Sequence, residues 1–99
     1  MRELVFTYAA DIEIQEAFGF LEDVEEGLAN RFLKSVEQAL DQIQRFPESG
    51  PLFRGRHRRV FTPKFPYAVF YAVYPRRIVV SGVLHLRLDK ERLNRRLDA

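Results

Sequence analysis

The chain opens on a short apolar run, Leu4-Val5-Phe6, which stops at Thr7 and reads as a strand. From about Ala9 the period lengthens. Ala10, Ile14, Ala17, Leu21 and Val24 recur at spacings of four and three, the apolar stripe of an amphipathic helix. Asp11, Glu13, Glu16, Glu22 and Glu25 fall largely outside that stripe and read as its solvated face, with Asp11 placed to suit the helix dipole. Gly27 is the natural break, because glycine tolerates the backbone angles of a helix–helix turn. A second stripe follows at Phe32, Val36, Ala39, Ile43 and Phe46, thickened by Leu33 and Leu40, and reads as core. Two such helices joined by a short turn predict an antiparallel hairpin packed on one sheet.

Phe46-Pro47-Glu48-Ser49-Gly50-Pro51 ends the second helix, since proline lacks an amide hydrogen and Gly-Pro marks a turn. The pattern then becomes that of a sheet. Arg58 to Thr62 predicts a short strand closed by Pro63. Tyr67 to Tyr74 predicts a longer one, apolar on both alternating sets and therefore central and covered on both faces. Pro75-Arg76-Arg77 connects it tightly to a strand from Ile78 to Arg87, which makes an antiparallel hairpin. The tail from Asp89 to Ala99 predicts a short helix with Leu93 and Leu97 four apart. The whole chain, 1–99, reads as a single α+β domain: an N-terminal strand, an antiparallel helical hairpin, then three antiparallel strands. Together they form a small four-stranded sheet with the helices on one face, and a short C-terminal helix follows. The other face is expected to be partly open.

Composition narrows the chemistry. The 99 residues are 46% hydrophobic and 30% charged, enough apolar material for one domain and too short for two. There is no cysteine, which excludes disulfides, thiolate metal sites and cysteine nucleophiles. The two histidines, His57 and His85, are far apart in sequence, so neither a metal nor another cofactor is expected. No apolar run is long enough to span a membrane. The first residues put Glu3 where a signal peptide needs basic and then apolar residues, so a cytoplasmic location is expected. The net charge of +2 hides an asymmetry, because eleven of the fourteen acids lie in residues 1–53 and twelve of the sixteen Lys/Arg in 54–99. A basic half of that strength favours an anionic partner, nucleic acid or acidic protein. It is equally what solvated helix faces and a charged sheet edge require.

Two clusters could carry function. On the last predicted strand, His85 and Arg87 are two apart and share a face. Ile78, Val80, Gly82, Leu84 and Leu86 take the other face, which should meet the helices, so His85 and Arg87 are expected on the open side. A histidine there can act as general acid or base, and an arginine can neutralise a phosphate or oxyanion. Tyr71 on the neighbouring strand could add a hydroxyl or a stacking surface. The same spacing also describes a hydrogen-bonded histidine beside a surface salt bridge. The second cluster is Arg54-Gly55-Arg56-His57-Arg58-Arg59 with Lys64 beyond it, which could bind phosphates, receive an acidic protein, or simply be a solvated loop. No phosphate-cradling glycine loop, Ser/His/Asp arrangement or calcium-loop spacing is present.

Three stretches resemble the ParE/RelE superfamily of toxins from bacterial type II toxin–antitoxin modules. Ala29-Asn30-Arg31-Phe32 through Ile43, followed by Phe46-Pro47-Glu48-Ser49-Gly50-Pro51, resembles the family's second helix and its proline-bounded exit. Phe65-Pro66-Tyr67-Ala68-Val69-Phe70-Tyr71 is similar to its central strand and is the most specific of the three. Val83-Leu84-His85-Leu86-Arg87-Leu88-Asp89 resembles its closing signature, His-x-Arg-Arg-Asp-Pro, with Leu88 in place of the second arginine and Lys90 in place of the proline. The likeness runs from Leu4 to about Arg92.

The resemblance implies a small cytoplasmic toxin neutralised by an antitoxin encoded beside it. Members of the ParE branch block DNA gyrase, and members of the RelE branch cut mRNA in the ribosomal A site. The Phe-Pro-Tyr strand and His-x-Arg ending resemble the ParE branch and its plasmid-stabilisation relatives. On that reading the chain is no enzyme and binds its target through some of Arg56, Arg58, Arg59, Lys64, Tyr71, His85 and Arg87. The alternative is a ribosome-dependent endoribonuclease, with His85 or Lys64 as base and Arg58 and Arg87 on the phosphate. RelE-type nucleases carry a tyrosine near the C-terminus, and here none follows Tyr74. A third reading, prompted by Leu88 and Lys90, is an antitoxin-binding relic that is no longer toxic.

Overall fold

Strand β1 (Glu3–Phe6) hands over directly to helix α1 (Tyr8–Val24) at Thr7, whose hydroxyl accepts a hydrogen bond from the Ala10 amide at 3.1 Å. Such a cap satisfies one of the amides a helix start leaves unpaired. Helix α2 (Leu28–Arg45) turns back on α1 at Gly27, whose φ of 87° lies in the left-handed region that favours glycine. The computed structural model describes residues 1–98, with side chains to residue 95, so the Leu97 side chain and Ala99 lie outside the described residues. The predicted stripes are buried at Ala10, Ala17, Leu21, Phe32, Val36, Ala39 and Ile43. They fail at their ends. Val24 and Phe46, expected in the core, are 61% and 64% exposed, each at or just past the end of its helix.

The sheet has five strands in the order β1-β5-β4-β3-β2, one more than expected. The additional strand, β2 (Leu52–Arg54), is too short to show a period and pairs irregularly with the free edge of β3 (His57–Phe61). The pairing is mixed. β1 runs parallel to β5 (Arg77–His85), while β4 (Tyr67–Val73) is antiparallel to both β3 and β5. β4 is central, and its first six residues are buried. The helices cover one side of it; Phe53, Leu86 and Leu93 of the short helix α3 (Lys90–Asp98) pack on the other.

A β-bulge decides which way the end of β5 faces. Tyr71 pairs with Val80 but Phe70 pairs with Gly82, so Ser81 is an extra residue opposite a single step of β4. Alternation is reset there. Ile78 and Val80 face the helices before the bulge and Val83 faces them after it, while Leu84 joins Ala68 and Phe70 on the opposite side. The expected apolar set of Ile78, Val80, Gly82, Leu84 and Leu86 is therefore split, and His85 follows Val83 to the helical side. The bulge is held by Glu13 of α1. Beyond Phe6, β1 no longer pairs with β5, and the carboxylate of Glu13 accepts a hydrogen bond from the Val83 amide at 3.0 Å. Glu13, expected on the wet face, is 4% exposed. An amide left unpaired there would cost a buried hydrogen bond.

Tyr71, expected on the open face, is fully buried on the helical side. Its hydroxyl donates to the Pro47 carbonyl at 2.8 Å and accepts from the Gly50 amide at 3.1 Å. Arg58, on the neighbouring strand and in register with Tyr71, donates to the carbonyls of Glu48 at 3.1 Å and Gly50 at 2.8 Å. Together they strap the proline-bounded 46–51 segment to the sheet. Gly50 fits because a Cβ there would lie 2.5 Å from the Tyr71 hydroxyl and 2.7 Å from the Arg59 carbonyl.

Removing the strap's hydroxyl leaves a carbonyl and an amide without their buried partner, so Tyr71→Phe should cost about 1–3 kcal/mol in urea unfolding. A cost within error of zero would remove Tyr71 from this role. Burial raises the hydroxyl pKa of Tyr67 and of Tyr71 above the ordinary 10.0; Asp89 adds to the rise at Tyr67, while the Gly50 hydrogen bond and Arg58 oppose it at Tyr71. The unfolded chain therefore loses these protons first. Stability is intact below the unfolded pKa and should fall as pH rises above about 10 toward the raised folded values. Urea midpoints measured across that range should drop less steeply in Tyr67→Phe.

Candidate functional site

The side of the sheet away from the helices carries a basic, aromatic groove. Strand alternation puts Arg59 and Phe61 of β3 on this side, opposite Phe70 and Ala68 of β4. Phe53 of β2 meets Phe70 edge-on, with ring centroids 5.8 Å apart. The Arg59 guanidinium lies over two rings at once, 4.4 Å from the centroid of Phe53 and 5.0 Å from that of Phe61. Such contacts fix a long side chain that would otherwise sample many rotamers, and they leave its donors presented to solvent. Phe53, Arg59, Phe61, Leu86, Arg87, Lys90, Leu93 and Asn94 line a groove of about 550 Å³. Its charged lining is cationic throughout, and Phe61 is 53% exposed beside it. The groove joins both sequence clusters, Arg59 from the first and Arg87 from the second.

The remaining predicted residues go elsewhere. Arg56 stacks on Tyr74 at 4.9 Å and donates to the Val73 carbonyl at 3.4 Å, and Arg58 is committed to the strap. Lys64 stands in the turn between β3 and β4, beside α2. His85 sits on the helical side, edge-on to Tyr67 with ring centroids 5.0 Å apart. Its Nδ1 accepts from the amides of Arg87 at 3.0 Å and Leu88 at 3.1 Å, and its own amide donates to the Asp89 carboxylate at 2.8 Å. The closing His-x-Arg motif is thus a turn that lets β5 end and α3 begin, and it sends its two candidate side chains to different faces.

His85 shares a cleft of about 170 Å³ with Glu13, Glu16, Tyr67, Asp89 and Arg92. Arg92 donates to Glu16 at 2.9 Å and lies 3.8 Å from Glu13, which ties α3 to α1. This cleft and Arg58 are well separated. Arg58 is in register with Tyr71 and His85 with Tyr67, an offset of four residues along β4 and two strand spacings across it. That is roughly 13 Å by roughly 10 Å. Among the described residues no three His, Asp or Glu side chains gather as metal ligands would.

Sequence reasoning missed Glu13, Phe53, Phe61 and Lys90. Glu13 lies three residues after Ala10 and four before Ala17, so its spacing put it in the buried stripe although its charge argued otherwise. Phe53 and Phe61 flank the arginine run, and that interleaving of aromatic and basic residues was a usable signal.

A family model described as the ParE toxin of the type II toxin–antitoxin system parDE matches residues 4–89. A solved structure described as the chromosomal ParDE toxin–antitoxin system from P. aeruginosa has the same fold at a TM-score of 0.75. It is 13% identical, and the alignment covers 86% of this chain and 96% of that one. No curated protein matches. The bulged hairpin β4–β5, the helical hairpin and the strapped exit from α2 all lie inside the matched span, and the chain belongs to the ParE toxin family of type II toxin–antitoxin systems.

Proposed function

We propose that this chain is a cytoplasmic toxin that inhibits DNA gyrase by protein–protein contact through the basic aromatic groove, without chemistry of its own, and that a cognate antitoxin neutralises it. The observation that carries the reading is the groove itself: an apolar floor ringed by Arg59, Arg87 and Lys90, with Phe61 exposed at its edge. Aromatic and arginine side chains held in place over a desolvated floor are the composition of a protein-binding hot spot. Lys90, which stands where the family signature has proline, adds a cation to this rim.

The ribonuclease alternative is less well supported by the arrangement of its residues. It needs a base, an acid and cations around one phosphate. His85 faces the helices with Nδ1 already accepting two amides, Arg58 holds backbone carbonyls, Arg87 faces the opposite side, and Lys64 is in a separate turn.

The test is a supercoiling assay with purified chain, gyrase, ATP and relaxed plasmid. Inhibition reversed by added antitoxin is the expected result. Arg59→Glu with Arg87→Glu should cost about 2 kcal/mol or more, roughly a thirtyfold rise in the half-inhibitory concentration. No inhibition from a chain that still arrests growth would move the target to the ribosome. His85→Ala should then lower mRNA cleavage by roughly 10²–10⁴. No growth arrest on induction would identify a relic.

A further inference from the structure

A third cleft, of about 340 Å³, lies at the end of the sheet where β1 begins, β2 turns into β3 and β4 turns into β5. Its charged lining is Arg2, Arg56, Arg58 and Glu48, three cations against one carboxylate. The arginines come from separate segments. Arg2 precedes β1, Arg56 ends the β2–β3 turn, and Arg58 lies two residues further on, so strand alternation gives it the same face as Arg56.

Each guanidinium is anchored by neutral backbone carbonyls. Arg2 Nε donates to the Tyr74 carbonyl at 2.8 Å, and the Arg2 carbonyl in turn accepts from the Gln44 side chain of α2 at 2.9 Å. Arg56 Nη1 donates to the Val73 carbonyl at 3.4 Å, with its guanidinium 4.9 Å from the centroid of the Tyr74 ring. Arg58 makes both bonds of the strap through Nη1 alone. The three side chains are therefore held in place with part of each fork unspent and with their charge uncompensated. Among the described residues none of the three is in an ion pair, and neither is Glu48. Arg31, Arg45 and Arg92, by contrast, each sit against a carboxylate. Like charges gathered without counter-ions repel one another, and an anion that enters this cleft finds its donors already ordered.

We propose that this cleft is a binding site for a phosphate dianion, either inorganic phosphate or the terminal phosphate of a small monoester, held by Arg2, Arg56 and Arg58. Charge selects the ligand. Three guanidiniums and one carboxylate leave a surplus of two positive charges, which a phosphate dianion matches and the single charge of a backbone phosphodiester does not. Shape selects it as well. A planar carboxylate is satisfied by one fork, whereas forks brought in from three segments suit a terminal phosphate with three oxygens free to accept. Glu48, carried on the strapped 46–51 segment, is the anion already in the cleft and opposes the ligand. Arg58 and Arg59 point to opposite sides of the sheet, so this cleft and the basic aromatic groove are separate sites.

The experiment titrates inorganic phosphate, and then a nucleoside 5′-monophosphate, into the purified chain by calorimetry in chloride buffer. A short DNA duplex without terminal phosphates serves as competitor. Wild type should bind one or both of the monoanionic-ester and inorganic forms, which identifies the source, and the duplex should not displace them. Arg2→Gln/Arg56→Gln should weaken binding at least about tenfold, and Glu48→Gln should tighten it several-fold. Phosphate at about ten times its dissociation constant should raise the wild-type melting temperature by roughly 5 °C or more, and should leave the double variant nearly unmoved. A rise of equal size in the double variant is the general stabilising effect of phosphate salts and overturns the site. Absence of binding at about 10 mM phosphate, tenfold above a millimolar dissociation constant, overturns it too. So does a Glu48→Gln chain that binds no more tightly than wild type, or a duplex that displaces the phosphate.

Discussion

The carboxylate of Glu13 on the Val83 amide is the contact on which the layout of this molecule depends. β1 is four residues long and leaves the outer edge of β5 unpaired beyond Val80. The helix that follows β1 crosses that edge and supplies the missing acceptor. With Val83 fixed, the extra residue Ser81 is accommodated as a bulge and every side chain after it changes face relative to simple alternation. Val83 and His85 go to the helices; Leu84 and Leu86 go to the opposite apolar cluster. A buried carboxylate is costly unless it is hydrogen-bonded, so this one acts both to hold the helix to the sheet and to set the register.

The arginine-rich strand shows how alternation divides one charged run between structure and surface. Arg58 points to the helical side, where it and Tyr71 hold the 46–51 segment through backbone carbonyls and an amide. Arg59, its neighbour, points the other way and lies between Phe53 and Phe61. One step of a strand therefore decides which arginine holds backbone and which lies on the surface. The same division separates His85 from Arg87, with the turn after β5 doing what the pleat does in β3.

α3 ties the two sides together. Arg92 reaches Glu16 and approaches Glu13 on the helical side, while Leu93, the next residue, packs with Leu84 and Phe70 on the open side. The helix closes the end of the sheet and forms one wall of the basic groove with Lys90 and Asn94. A separate groove beside α2, lined by Arg31, Lys34 and Lys64, draws two of its three cations from the otherwise acidic half of the chain.

Periodicity determined every element except β2. The 3.6-residue stripes located both helices, Gly27 located their turn, and the doubly apolar run at Tyr67 identified a central strand covered on both sides. These are local properties, written in spacings within one element. The stretches that match the ParE family were legible for the same reason, as short runs with fixed composition. What periodicity could not supply were facts that depend on two distant segments meeting. β2 exists because β3 offers it an edge, Tyr71 is buried because a loop some twenty residues away needs its hydroxyl, and the face of His85 depends on a carboxylate 72 residues earlier in the chain. A bulge adds one residue and leaves hydrophobicity unchanged, so nothing in the pattern announces it. Sequence by itself determined both helices, the four longer strands and the family. Tertiary structure decided which side chains share a face, because that depends on hydrogen bonds between segments no local pattern relates.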